Sequence, residues 1–329
     1  MASYPLVSGK IPVRLLNELL VGLPASPGVR LGPAIGEDAC AIEVGSELLV
    51  AATDPVTLTV AEAGYLSVVV SANDVAVTGA RPRWFLAVLL LPPGTTGEAV
   101  RSLLAEIGRG LEQVGAYLVG GHTEVTSAVS RPVVVGQMLG LAEAGRVVAS
   151  SGLRVGDAVV QVGPAPVEGA AVLAREATAR LDGVAPAMLE AARAALERPG
   201  ISVVEPALLA TRLGATAMHD PTEGGLAAGL HELACASGLR IRVMREAMLW
   251  YAPGVTVCEA LGADPWASLA SGTLLAAFPS ERLEAAMAAF AQADNAAAVI
   301  GSAEVGSGVV GTDGAEIVWP DRDELARLG

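Results

Sequence analysis

One acidic residue constrains this chain more than any other feature. Residues 61–80 carry Val, Ala and Leu at helical spacing, closed by Gly79 and, after Arg81, by Pro82. Asn73-Asp74 lies inside that otherwise apolar stretch. A carboxylate on an apolar helix face is costly unless a cation or several donors meet it. The fold must therefore bury the helix and also bring Asp74 a partner, either Arg81 or Arg83 as an ion pair or a metal ion.

The surrounding pattern supplies a frame. Residues 47–53 and 83–91 read as strands, 97–114 as an amphipathic helix, 116–119 as a short strand running into Gly120-Gly121, and 132–142 as a Val-rich strand. Small residues at 149–152 break the pattern. Beyond them, residues 157–162, 239–243 and 272–278 read as strands. Residues 168–180, 186–198, 206–213, 223–237 and 280–291 read as helices, and 299–310 as a hairpin. Strands and helices mix without strict alternation, so the expected class is mixed α/β (α+β) in two domains, residues 1–150 and 151–329.

Composition excludes several classes of function. With 21 Lys and Arg against 35 Asp and Glu, the net charge is −14, which disfavours a nucleic-acid partner. Hydrophobic residues reach 52 %, yet the greasiest runs, 84–91, 133–142 and 265–279, are too short or too interrupted to span a bilayer. The first ten residues lack the pattern of a secretory signal, and three cysteines without metal-like spacing fit a reducing compartment. The expected location is cytoplasmic, without a membrane partner. Lys10 is the sole lysine and no P-loop precedes it; no G-x-S-x-G elbow is present either.

Acidic residues otherwise recur in glycine-flanked turns and near strand ends: Glu37-Asp38, Asp54 after Thr53, and Glu124 after Gly120-Gly121-His122-Thr123. Strand ends converge at one edge of a sheet, and carboxylates gathered there repel one another unless a divalent cation neutralises them. Oxygen ligands suit Mg²⁺, which substrate phosphates commonly complete, and glycines let backbone N–H groups approach phosphate oxygens. The pattern points to Mg²⁺ and a nucleoside triphosphate. Plainer roles compete: an exposed turn for Glu37-Asp38, a turn before Pro55 for Asp54, a helix N-cap for Asp220 or Thr222. The sharper alternative places Asp220 and Glu223 at a helix mouth, orienting substrate or a second metal; His219 and His231 read as ordinary polar residues.

Five segments, GEDACAI (36–42), TDP (53–55), ANDVAVTGARP (72–82), GGHTEV (120–125) and HDPTEGGLA (219–227), together resemble the aminoimidazole-ribonucleotide (AIR) synthase-like, or PurM-like, ATP-utilising superfamily. They stand in the family's order across nearly the whole chain. SGKIP (8–12) and the DPT-GGLA pattern lean toward its HypE-like members. The resemblance implies an N-terminal domain that dimerises through its sheet and binds Mg-ATP, and a C-terminal domain that closes over it. It implies Asp38, Asp54 and Asp74 as Mg²⁺ ligands with Glu37 a possible fourth. Thr53, Asn73 and Gly120, Gly121, His122 and Thr123 would lie at the nucleotide, and Asp220 and Glu223 at the reacting centre.

The implied activity is an ATP-dependent phosphotransfer to, or activation of, a small-molecule or carbonyl-type acceptor. The alternatives are a thiamine-monophosphate kinase and a non-catalytic nucleotide-binding scaffold. Two departures bear on these. His122 stands where the family often has an acid, and the HypE-type terminal cysteine has no counterpart in residues 323–329, so thiocarbamate dehydration is not expected by that route.

Overall fold

The computed structural model describes residues 9–20, 27–143 and 147–328. It contains two mixed six-stranded sheets, each with its own helices. The first part comprises α1 (Val13–Leu20), β1 (Val29–Leu31), β2 (Cys40–Val44), β3 (Glu47–Val56), α2 (Ala63–Val77), β4 (Arg81–Leu91), α3 (Gly97–Val114), β5 (Tyr117–Val125) and β6 (Val133–Glu143). Its sheet runs β1-β2-β3-β6-β4-β5, antiparallel except for the parallel β4–β5 pair at one edge.

α2 packs across β3 and β6, and α3 packs on α2. Small residues allow that closeness: a Cβ on Gly64 would lie 2.5 Å from the Leu103 carbonyl oxygen, and one on Gly110 2.9 Å from Val68 Cβ. Fourteen of the fifteen α2 residues are buried, Asn73 and Asp74 among them. The helix is thus enclosed on every side, as its largely apolar composition requires.

The second part comprises β7 (Ala158–Val162), α4 (Glu168–Glu176), α5 (Pro186–Arg193), α6 (Val204–Leu213), β8 (Ala217–His219), α7 (Gly225–Ser237), β9 (Arg240–Val243), α8 (Ala252–Leu261), β10 (Leu274–Phe278), α9 (Ser280–Gln292), β11 (Ala297–Glu304), β12 (Gly308–Gly311) and α10 (Glu324–Leu328). Its sheet order is β12-β9-β11-β7-β10-β8. The hairpin expected over 299–310 does not form. β9 inserts between β11 and β12, pairing antiparallel with the first and parallel with the second. The apolar alternation at 239–243 shows that a strand exists there but carries no information about which edge it completes.

The two parts are joined by polar contacts at their interface. The Asn73 amide donates to the Ile201 carbonyl at 2.8 Å and accepts from the Val203 N–H at 2.9 Å. Both ends of this amide are spent on the second part. Asn73, expected at the nucleotide, is a clasp between the two halves. Among the described residues no helix is long and apolar enough to cross a membrane.

Candidate active site

Asp38, Asp74 and Asp220 converge from three elements. Asp38 lies in the turn before β2, Asp74 near the C-terminal end of α2, and Asp220 directly after β8. One carboxylate oxygen from each lies within 4.8 Å of the others. Asp74 is 5 % and Asp220 1 % exposed, and Asp74 Oδ2 and both Asp220 oxygens find no hydrogen-bond partner. Arg81, considered as Asp74's partner, instead pairs with Glu205 at 2.8 Å.

Burial pushes the carboxyls of Asp74 and Asp220 well above the ordinary carboxylate range, and the neighbouring acids push the same way. Three acidic groups held together, with buried oxygens lacking donors, fit a hard divalent cation: every available ligand atom is a carboxylate oxygen. Mg²⁺ meets that donor set, and Asp38, Asp74 and Asp220 are the residues that would hold it. Asp54, in β3, lines the same cleft and raises Asp74 further by its charge.

His219 precedes Asp220 and is 2 % exposed. Its Nδ1 lies 2.8 Å from Asp38 Oδ2 and its Nε2 3.0 Å from Glu232 Oε2. Burial alone would lower its pKa, but the two carboxylates overcome that and hold it well above the ordinary histidine value. Both ring nitrogens thus face carboxylate oxygens, one from each half of the chain. Burial would likewise raise Glu232, yet the His219 hydrogen bond and the charge of Lys10, 3.4 Å away, hold it down to about 2. Lys10, Glu232, His219 and Asp38 thus form a contiguous polar line across the two halves.

A cleft of about 560 Å³ opens beside this cluster, within the range of small-molecule sites. Its wall from the first part includes Asp38, Thr53, Asp54, Thr59, Asp74 and Arg131; its wall from the second includes Glu168, Thr222, Glu223, Leu269 and Ser271. Thr53 donates its hydroxyl to the Gly136 carbonyl at 2.8 Å, fixing its rotamer at the cleft. Neither Asp220 nor Thr222 caps α7. Gly224 occupies that position with a left-handed backbone, and its N–H donates to Asp323.

Two expected groups lie apart from the cluster. Glu37 lines the cleft, but its two carboxylate oxygens accept the backbone N–H groups of Ser150 and Ser151, each at 3.0 Å. Gly120, Gly121, His122 and Thr123 do not follow a strand end. They lie inside β5, which is exposed along its whole length. The cross-strand register Asp54–Gly136–Ala87–Gly121 places them three strands away, about 14 Å from Asp54. Gly121 answers a backbone need at that point: its φ is +145° and a Cβ there would sit 1.9 Å from the Ala87 carbonyl oxygen. The β4–β5 register slips at Val119, just before the glycine pair.

Sequence reasoning read His219 as an ordinary polar residue and passed over Glu232 and Glu168. Glu232 carried the same signal as Asp74, an acid within an apolar helix. His219 carried none, because its meaning depends on two carboxylates far away in sequence.

The family follows from comparison with known proteins. Residues 36–142 match the AIR synthase related protein N-terminal domain, and residues 154–314 match its C-terminal domain. The chain belongs to the AIR synthase related family. A carbamoyl dehydratase HypE from Rhodobacter capsulatus is 31 % identical over 287 residues, covering 85 % of this chain and 82 % of that protein. Among solved structures, AaThiL complexed with AMPPCP and TMP superposes with a TM-score of 0.73 at 24 % identity, over 94 % of each chain. Hydrogenase maturation protein HypE in complex with ATP gives 0.72 at 23 %, over 91 % of this chain and 92 % of that one. The two-domain mixed α/β architecture is that of this PurM-like group, and the chain stands near HypE within it.

Proposed function

We propose that this protein is an Mg²⁺- and ATP-dependent enzyme that phosphorylates or otherwise activates a small acceptor in the cleft between its two halves. The observation that carries the reading is the Asp38–Asp74–Asp220 cluster with its undonated buried oxygens, opening onto a cleft of about 560 Å³. The solved relatives with ATP or AMPPCP bound support the choice of nucleotide. Bound there, Mg²⁺ would offset charge on the triphosphate as it reacts. His219 fixes the Asp38 carboxylate through its Oδ2. Lys10 and Arg131, which line the cleft, balance phosphate charge. Glu223, raised by burial, faces the acceptor side.

In this reading the chain acts in the cytoplasm as a homodimer. β5 supports the dimer: a nine-residue edge strand exposed throughout, with Tyr117 at 73 %, Leu118 at 48 % and Val119 at 56 %, presents unpaired backbone and apolar side chains together. Carbamoyl dehydratase relatives suggest a carbonyl-type acceptor, and the AaThiL complex makes thiamine monophosphate the first kinase acceptor to screen.

Calorimetric titration with AMPPCP, with and without Mg²⁺, tests the proposal. Binding that requires Mg²⁺ is expected. No binding in either condition would overturn it, while Mg²⁺-dependent binding without ATP consumption across an acceptor panel would favour a nucleotide-binding scaffold.

A further inference from the structure

Glu168 opens α4 and lines the cleft from the second part, yet nothing in the metal cluster uses it. It is 7 % exposed, and among the described residues the charged groups that act on it are acids: Asp323 ahead of α10, Glu223 in the β8–α7 loop, and Asp54 on β3. Beside it stands Ser271, fully buried and lining the same cleft, whose Oγ has no hydrogen-bond partner. A buried hydroxyl left without a partner at a cleft wall is costly unless a ligand completes it.

Among the described residues, the cations that line the cleft, Lys10 and Arg131, come from the first part of the chain, and the charged groups around Glu168 and Ser271 are acids. An anionic reacting group would be repelled there. Burial lifts the Glu168 carboxyl to about 7, while the nearby Ser271 hydroxyl opposes the rise without reaching hydrogen-bond geometry. A carboxyl near neutrality can take a proton and return it to solvent within one turnover.

We propose that Glu168 is the general base for the acceptor, that Ser271 hydrogen-bonds the acceptor beside it, and that the acceptor reacts through a neutral oxygen nucleophile, a hydroxyl or a carboxamide. This inference rests on the ATP-dependent reading above. In the step, the acceptor oxygen forms a bond to the γ-phosphorus of ATP. The bond from that phosphorus to the β,γ-bridging oxygen breaks, and ADP leaves with its electron pair. The proton lost by the hydroxyl, or by the carboxamide nitrogen, passes to the Glu168 carboxylate.

The test compares wild type, Glu168→Gln and Ser271→Ala as full chains between about pH 5 and 9. Infrared difference spectra without nucleotide read the ionisation of Glu168. Calorimetry reads the affinity for Mg²⁺-AMPPCP. ADP formation from Mg²⁺-ATP, with water standing in as the neutral oxygen acceptor, reads the chemistry. Expected is a carboxylic acid that ionises near pH 7 in wild type and is missing from Glu168→Gln. Analogue affinity should stay within about threefold in both variants, and Glu168→Gln should lose about a hundredfold in ADP formation together with its pH dependence. The proposal fails if wild type and Glu168→Gln give the same infrared titration, or if Glu168→Gln forms ADP at the wild-type rate with the wild-type profile. Where water proves inert, the infrared titration alone decides. Loss of Mg²⁺-AMPPCP binding in wild type would instead strike the ATP-dependent reading, and is seen separately.

Discussion

At the residue scale, Asp74 serves binding at the expense of stability. Its Oδ2 is buried without a donor, and burial has pushed its carboxyl well above the ordinary range. Asp74→Asn should therefore weaken Mg²⁺-AMPPCP binding by more than tenfold, about 1.4 kcal/mol, in calorimetry. The same substitution should raise the melting temperature of the metal-free protein, because it removes the cost of ionising a crowded carboxyl. A residue that was merely an ion-pair partner would show neither effect.

Titration follows the same logic. Glu168 and Asp323 are both raised by burial to about 7, from ordinary values of 4.5 and 3.8. A raised carboxyl binds its proton more tightly in the folded state. Its contribution is complete below the unfolded value and is lost as pH rises through about 7. Glu232, held at about 2, works in the opposite sense and loses its contribution only as pH falls from 4.5 toward 2. Metal-free stability should accordingly be greatest near about pH 5 and decline toward pH 8, read as melting temperature in a chelating buffer.

At the scale of elements, the position of α2 on its sheet decides where Asp74 points. Gly136 of β6 lies beneath it, and a Cβ there would come 2.4 Å from the Ser67 carbonyl oxygen and 2.7 Å from Ser71 Oγ. Gly136→Ala should cost about 1–3 kcal/mol in denaturant unfolding and weaken Mg²⁺ binding as well, since lifting the helix displaces its carboxylate. The edge strand β5 makes a separate prediction. Val119→Lys should convert a dimer into a folded monomer in light-scattering chromatography, because a charge on an exposed edge blocks strand-to-strand association. A wild-type monomer would contradict the proposed dimer outright.

At the scale of the whole molecule, the cluster joins two halves that are separate in sequence. Asp38 and Asp74 come from the first and Asp220 from the second, so a cation bound there ties the halves together, as the Asn73 amide already does. Mg²⁺ at a hundredfold excess over its Kd should stabilise the chain by about 2.7 kcal/mol, and Asp220→Asn should abolish that gain. Asn73→Ala should cost about 2 kcal/mol without touching the metal, since it strands the Ile201 carbonyl and the Val203 N–H at the interface. Comparing the two variants by thermal unfolding with and without Mg²⁺ separates the metal's contribution from the clasp.

Much of this was legible in one dimension. An acid in an apolar helix marked Asp74, alternation marked most strands of the two sheets, and five short motifs in order indicated the family and the two-domain mixed α/β architecture. These features are local, set by helical or strand periodicity and by the cost of burying charge within a few residues. What the tertiary structure decided is long-range. It turned Glu37 to the backbone of Ser150 and Ser151, made Asn73 a clasp, and set Gly120–Thr123 three strands from the acids. It also inserted β9 between two strands that read as a hairpin, and set His219 between Asp38 and Glu232. Periodicity records which face of an element is buried. Strand order and charge pairing depend on which distant segment arrives to bury it, and that is settled only when the whole chain packs.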